Sequence, residues 1–371
     1  MTRIAHRVRH TRHRGTWNAK MLPAGSILAW PGNVADVPAG WSLCDGTGGT
    51  PDLSDKFIIA ADGSDYNFDD TSAGDTSVVS VSVSTTGNHS PANCRSAKTS
   101  AAGHTRAISS AGSHPHTASG SALYTPPSYK LAYIMCASAA LIPDDAIVWC
   151  NDASAPSGFT SYANLQDRFV LGQTGDTRAA VGSDDLEYEI TGFSSTGLHK
   201  HSPSGNRYSP GGSTNYETDI NGGTHSNHDI TGQTEAAAKP PYVALLAVQA
   251  DADHPSALKL IVAYSGSLGS LTGTGWQEAD GTNGTRDCRG AVPIGVNALS
   301  LGATGGDMDN VSGSANTPTY TTQHKHTVTF GTSNVTGNDH TNWPWAHVHL
   351  CNWEFKKVIP YHALYFIEFV G

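Results

Sequence analysis

Charge is scarce in this sequence: Asp, Glu, Lys and Arg together make up 15% of its 371 residues. That scarcity argues against coiled coils and helical bundles, which need Ala, Glu, Lys and Leu at helical period. Long apolar runs are lacking as well. Stretches such as Tyr242 to Val248 and Ala363 to Val370 fall far short of a bilayer span, so no membrane insertion is expected. The six cysteines, Cys44, Cys94, Cys136, Cys150, Cys288 and Cys351, show no CxxC spacing. They are expected to be reduced, packed thiols, which fits assembly in a cytoplasm. No GxSxG elbow, HExxH pair or phosphate-binding loop occurs, which removes the commonest signatures of catalysis.

Glycine and proline are plentiful, 40 and 19 residues, and Ser/Thr runs fill much of the remainder. Short strands joined by many turns follow from that composition, so the expected fold class is mainly β. The net charge of −10 is unevenly spread. Residues 1–24 hold Arg3, Arg7, Arg9, Arg12, Arg14 and Lys20 and no carboxylate. This stretch lacks the apolar core of a secretion signal and reads as a basic arm that is either a solvated tail or a docking element for an acidic surface.

The remainder reads as three tandem units, 25–138, 139–253 and 254–371. Each opens on an apolar strand: GSILAW at Gly25, DAIVWC at Asp145, LKLIVAY at Leu258. A Gly-rich loop then leads to an aromatic, Trp41, Phe159 or Trp276. A second strand follows in PDLSDKFIIA, ANLQDRFVLG and TRDCRGAVPIG. Each unit closes on a continuous apolar run after Pro127, Pro241 or Pro360, the pattern of a strand buried on both faces. Between the second and closing strands lie polar segments, such as 64–120 and 176–238, that resemble low complexity yet contain alternation such as Ser77 to Val83.

Histidines punctuate those segments in two clusters per unit. The first comprises His89, then His199 and His201, then His324 and His326. The second comprises His114 and His116, then His225 and His228, then His347 and His349. Residues two apart on a strand face the same way, so an HxH pair offers two imidazoles side by side. Three such pairs around a common axis supply six nitrogens, a closed octahedral shell for a structural transition metal such as iron, zinc or nickel. The spacing of His225 and His228, three apart, and the single His89 depart from the pattern.

In PAGWSLCDGTGG and TPDLSDKFIIA, residues 25–60 resemble the collar-type domain of bacteriophage tail fibres. SAPSGF with ANLQDRFVLG, and TGTGWQEADGTNG with TRDCRGAVPIG, are similar in outline. The histidine segments resemble the Gly-x-His-x-His repeats of the same fibres, where pairs from three chains bind metal on the fibre axis. The resemblance implies a virion structural protein, assembled in the host bacterial cytoplasm: a fibre, a fibre adaptor or a surface knob. Its basic arm would dock on other virion proteins rather than nucleic acid. That family supplies one unit per chain and trimerises; three units in one chain imply a monomer with pseudo-threefold symmetry.

Two alternatives remain from the residues. A receptor-binding tip could stack Tyr208, Tyr216, Trp343 or Trp345 on a host surface glycan. A β-fold metalloenzyme needs a carboxylate near the histidines, and Glu354 after His349 is the sole near miss, so catalysis is not expected.

Overall fold

The computed structural model describes residues 21–83, 94–95, 105–108, 116–195, 203–204, 220–221, 230–237, 239–316, 324–328, 340–343 and 350–371. It is mainly β, as the composition requires, with helix confined to single 3-10 turns among the described residues. In the first third of the chain lie β1 (Ser26–Trp30), β2 (Phe57–Ala60), β3 (Val78–Val83), β4 (His116–Leu123) and β5 (Ser128–Cys136). The middle third holds β6 (Ile147–Cys150), β7 (Phe169–Gln173), β8 (Asp185–Ser195), β9 (Ile230–Ala236) and β10 (Tyr242–Ala250). The last third holds β11 (Leu260–Tyr264), β12 (Val292–Gly295), β13 (Val311–Asn316), β14 (His324–Val328), β15 (His340–Trp343), β16 (Leu350–Phe355) and β17 (Val358–Phe369).

Strands buried on both faces must be central, and the apolar runs are. Every residue of β1, β2, β11 and β12 is buried. Pairing follows one rule throughout. The opening strand of each third lies antiparallel to its own closing strand: β1 with β5, β6 with β10 and β11 with β17. Each closing strand then takes a parallel partner from a different third. β5 pairs with β7 in the register Phe169↔Ser128 and β10 with β12 in the register Val292↔Tyr242. β17 returns to the start of the chain and pairs with β2, Phe57 opposite Tyr361.

The three opening strands also meet one another, through Ala29↔Ile147, Ile27↔Ala263 and Trp149↔Ile261. The pairs β10–β12–β7–β5–β1–β6–β10 form an unbroken circuit, and β11 joins β1 and β6 to complete a seven-stranded barrel. Backbone hydrogen bonds tie the thirds in the same cyclic order. Asp55 N donates to Gly172 O at 3.0 Å, Asp167 N to Gly295 O at 2.9 Å and Gly290 N to Ala60 O at 2.8 Å. Those three donors all sit at positive φ, 52°, 54° and 66°.

The apolar core has three layers, and each draws on all three thirds. Around the barrel axis sit Ile27, Ile147 and Ile261 with Leu131, Leu245 and Leu364. Toward the C-terminal ends of the closing strands sit Ile134, Val248 and Ile367 with Trp276 and Phe369. Toward their N-terminal ends sit Phe57 and Phe169, edge-to-face at 6.1 Å, with Ala244 and Ala363. Burying either phenyl ring contributes about 2–3 kcal/mol. Leu22, inside the basic stretch 1–24, belongs to the body: it is fully buried and exchanges backbone hydrogen bonds with Ala140 at 2.8 and 3.1 Å.

Five cysteines, Cys44, Cys136, Cys150, Cys288 and Cys351, are buried free thiols. Burial raises the pKa of each, that of Cys150 to about 11, so none is a ready thiolate. Among the described residues no helix is long and apolar enough to cross a membrane.

Candidate metal-binding rim

Above the barrel stand two three-stranded sheets, β9–β8–β4 and β13–β16–β3, whose inner faces pack together. Alternation explains the packing. Leu186, Tyr188 and Ile190 of β8 are buried, as are Cys351, Trp353 and Phe355 of β16. Tyr188 lies 4.4 Å from Trp353 and 6.0 Å from Phe355, ring centre to ring centre. Gly120 gives β4 its close approach, since a Cβ there would stand 3.1 Å from the Phe355 ring.

All six of these strands join the barrel at their lower ends. β4, β9 and β16 run directly down into β5, β10 and β17, while β3, β8 and β13 rise after β2, β7 and β12. Their upper ends therefore form a common rim. The register shows it: His116, first in β4, opposes Ser195, last in β8, and Ile230, first in β9, opposes Ile190. Leu350, first in β16, opposes Asn316, last in β13, and Cys351 opposes Val83, last in β3.

Three excursions leave and re-enter through that rim: 84–115, 196–229 and 317–349. Ten of the eleven candidate histidines sit on them, and the eleventh, His116, is the first rim residue of β4. The excursions also pair with one another. Pro203↔Ile108 and Ser204↔Ala107 join the first to the second, and Ile220↔Val328 and Asn221↔Thr327 join the second to the third. In the third, β14 pairs with β15 with His324 opposite Trp343 and His326 opposite Thr341.

His89, His114, His199, His201, His225, His228, His347 and His349 lie outside the described residues, as do Arg3, Arg7, Arg9, Arg12 and Arg14 of the arm and Tyr208, Tyr216 and Trp345. No group of three or more His, Cys, Asp or Glu poised around one point occurs among the described residues.

Three polar clusters lack the HxH signature and went unseen in the sequence reading. Glu368, almost fully buried, accepts hydrogen bonds from the Arg286 backbone N–H at 2.6 Å and from Asn151 Nδ2 at 3.1 Å. Arg286 donates in turn to Asn151 Oδ1 through Nε and an Nη at 2.9 and 2.7 Å, so three distant stretches are locked together. Lys357, with a buried side chain, pairs with Asp307 at 2.6 Å. Burial raises the Asp307 carboxyl, but the Lys357 hydrogen bond and charge outweigh it and leave the pKa lowered. Buried His362 holds Asp69 through Nε2 at 2.8 Å, while its Nδ1 has no hydrogen-bond partner among the described residues. Each sits on or beside β17, where an apolar run with single polar interruptions was the available signal.

Compared with protein-family models, curated proteins and solved structures, the chain matches none.

Proposed function

We propose that this chain is a non-enzymatic structural protein of a bacteriophage virion, a compact fibre knob, adaptor or surface decoration. It is built as three diverged collar-like units that form a trimer within one chain. Histidines on the three rim excursions hold structural iron, zinc or nickel, and the basic arm docks the knob on other virion proteins.

The observation that carries this reading is the cyclic pairing. β5 with β7, β10 with β12 and β17 with β2 are the same parallel contact made from first to second, second to third and third to first. Three separate copies of one unit exchanging strands around an axis produce that pattern; here the copies are covalently joined. A threefold arrangement would bring three histidine-bearing excursions to one end of the axis. Six imidazoles there close a shell with no open position, which suits a staple rather than a catalyst.

The supporting geometry is polar along the axis. Met21 accepts a hydrogen bond from Trp276 Nε1 at 3.0 Å, and Trp276 packs on Phe369 at the end of β17. The arm thus enters the body at the end of the barrel opposite the rim. Docking through the arm would leave the rim pointing away from the particle.

Elemental analysis of the purified chain, with melting before and after chelation, tests the reading. Bound transition metal near stoichiometric amounts is expected, with a chelator-dependent loss on the order of 3 kcal/mol for a site loaded to a hundred times its dissociation constant. Absence of metal together with an unchanged melting curve would remove the staple. Sedimentation tests the single-chain trimer: a mass near 38.8 kDa is expected, and one about three times larger overturns it.

A further inference from the structure

The loop that leaves β2, residues 61–73, differs from its counterparts in the other two thirds. Each such loop closes at a glycine pressed against the segment that leads into a closing strand: Gly74 on Pro360, Gly182 on Pro126 and Gly306 on Pro240. The sister loops, 173–181 and 296–305, are shorter, contain no aromatic residue and hold one carboxylate between them, Asp176. The first loop instead reads ADGSDYNFDDTSA, with four carboxylates, two aromatics and no lysine or arginine.

β17 holds this loop in place. Asp69 N–H donates to Ala363 O, and Ala363 N–H to Asp70 O, both at 2.8 Å. Tyr66 meets Tyr361 edge-to-face at 5.4 Å, and Phe68 lies flat on Tyr365 at 4.6 Å, within 14° of parallel. The other face of the Phe68 ring is open. At 37% exposure it is the one exposed aromatic among the described residues of the barrel and its loops. Beside it the Asp69 carboxylate, 73% exposed, is gripped from behind by buried His362 Nε2 at 2.8 Å. Burying an imidazole with Nδ1 unpartnered among the described residues is unfavourable in itself, and what it achieves here is a fixed surface carboxylate. The second oxygen of Asp69, and Asp65, have no partner among the described residues. The bordering cations are already engaged: Arg289 with Asp287, Lys356 with Asp75 and Lys357 with Asp307.

We infer that this loop is a docking site for an arginine side chain of a partner protein, its guanidinium plane on the open face of Phe68 and its N–H groups on Asp69 and Asp65. An open aromatic face attracts a cation, and adjacent carboxylates fix its position. Guanidinium does both at once, being planar for the ring and forked for the carboxylate, whereas the lysine ammonium is a point charge. A glycan also stacks on aromatic rings, but its hydroxyls need donors as well as acceptors. Here acceptors dominate, with Asn67 the single side-chain amide of the loop. The site occurs once per molecule, because the sister loops lack both the ring and the carboxylates. Three identical chains would repeat it three times, while one chain of diverged units takes a single partner on one side. That count rests on the single-chain trimer reading.

The test uses the full chain labelled with ring-13C phenylalanine and tyrosine. It is titrated with the peptide acetyl-Gly-Ser-Arg-Ser-Gly-amide and with its lysine counterpart. Saturable shifts of the Phe68 and Tyr365 ring signals are expected, with the lysine peptide several-fold weaker. Read at Tyr365, the dissociation constant should rise about three- to fivefold in Phe68→Leu and at least as much in Asp69→Asn. It should not change in Glu187→Gln, an exposed carboxylate on β8. Binding should disappear in 1 M salt. Absence of shifts at millimolar peptide overturns the proposal, as does equal binding of the lysine peptide or of the Phe68→Leu chain, which would report only a general acidic field. Maltoheptaose shifting these signals where the arginine peptide does not would overturn it in favour of a glycan. Self-association abolished by Phe68→Leu would overturn it in favour of a second copy. The mass of the monomeric fraction in the same preparations reports on the single-chain trimer reading independently.

Discussion

At Gly172 the backbone passes so close to the carbonyl oxygen of Leu53 that a Cβ would overlap it, and Gly295 meets Leu165 O in the same way. Gly172 is the last residue but one of β7 and Gly295 ends β12, where the inner strand of one third receives the turn of another through the bonds from Asp55 and Asp167. The need is steric rather than conformational, since neither sits at positive φ. In the first third the corresponding residue is Ala60, which accepts its turn from Gly290 and accommodates a methyl group. Gly172→Ala and Gly295→Ala should each destabilise by about 3 kcal/mol through overpacking against fixed backbone. Ala60→Gly should cost only about 1 kcal/mol, the entropic difference between the two residues. Urea midpoints of the three variants check this, and an undisturbed Gly172→Ala protein would show that the turn contact is loose. In the sequence, Gly172 and Gly295 were visible only as the last residues of FVLG and VPIG. Nothing local marks the Leu53 or Leu165 carbonyl as the neighbour, because that neighbour lies in another third.

At the level of elements, the loops before β2 and β12 are the clearest case of structure hidden by substitution. Asp45 and Asp280 each accept from the backbone N–H and hydroxyl of the threonine two residues on, at 2.9 and 2.7 Å in both loops. Thr50 and Thr285 close them identically, each hydroxyl donating to a carbonyl at 2.8 Å. The sequence matched the third loop only in outline, since Arg286 and Cys288 replace Pro51 and Leu53. The turn depends on the Asp, Gly and Thr positions alone, and those are kept. The strands were legible where burial forces an apolar run, as in β1, β5, β10 and β17. The rim strands were not, except at Ser77 to Val83, because a sheet with one solvated face can be built from Ser, Gly and Thr. Two exposed carboxylates at these elements set an acid limit. Hydrogen bonds from Ser54, and then Lys56, hold the Asp52 pKa down to about 2; Lys356, and then Ser77, do the same for Asp75. Folded values below the usual 3.9 mean stability is fully present above about pH 4 and is lost as pH falls toward 2. Both groups face solvent, so the effect is modest. Melting temperature should be level from pH 7 to about 4.5, decline between 4 and 2, and decline less steeply in Asp52→Asn/Asp75→Asn.

At the scale of the whole molecule, the decisive contact is the last one the chain makes. β17 supplies the parallel partner of β2, so the first third completes its sheet only after the C-terminal strand has arrived, some 300 residues later. Every core layer mixes residues from all three thirds, and the Glu368–Arg286–Asn151 bonds tie the last strand to the middle of the chain. Independent domains would each carry their own core, and these do not. The expected result is one cooperative unfolding transition, with calorimetric and van't Hoff enthalpies in agreement, where three tandem domains would melt in steps. A chain ending at residue 357 should show no cooperative transition at all, because β2 loses its strand partner, β11 loses its closing strand and keeps only β1 and β6, and the buried faces of all three layers open together. Differential scanning calorimetry of the two proteins decides it. Three resolved transitions in the full chain, or a native-like melt in the shortened one, would mean that the thirds fold on their own and that strand exchange is a late docking step rather than what holds the molecule together.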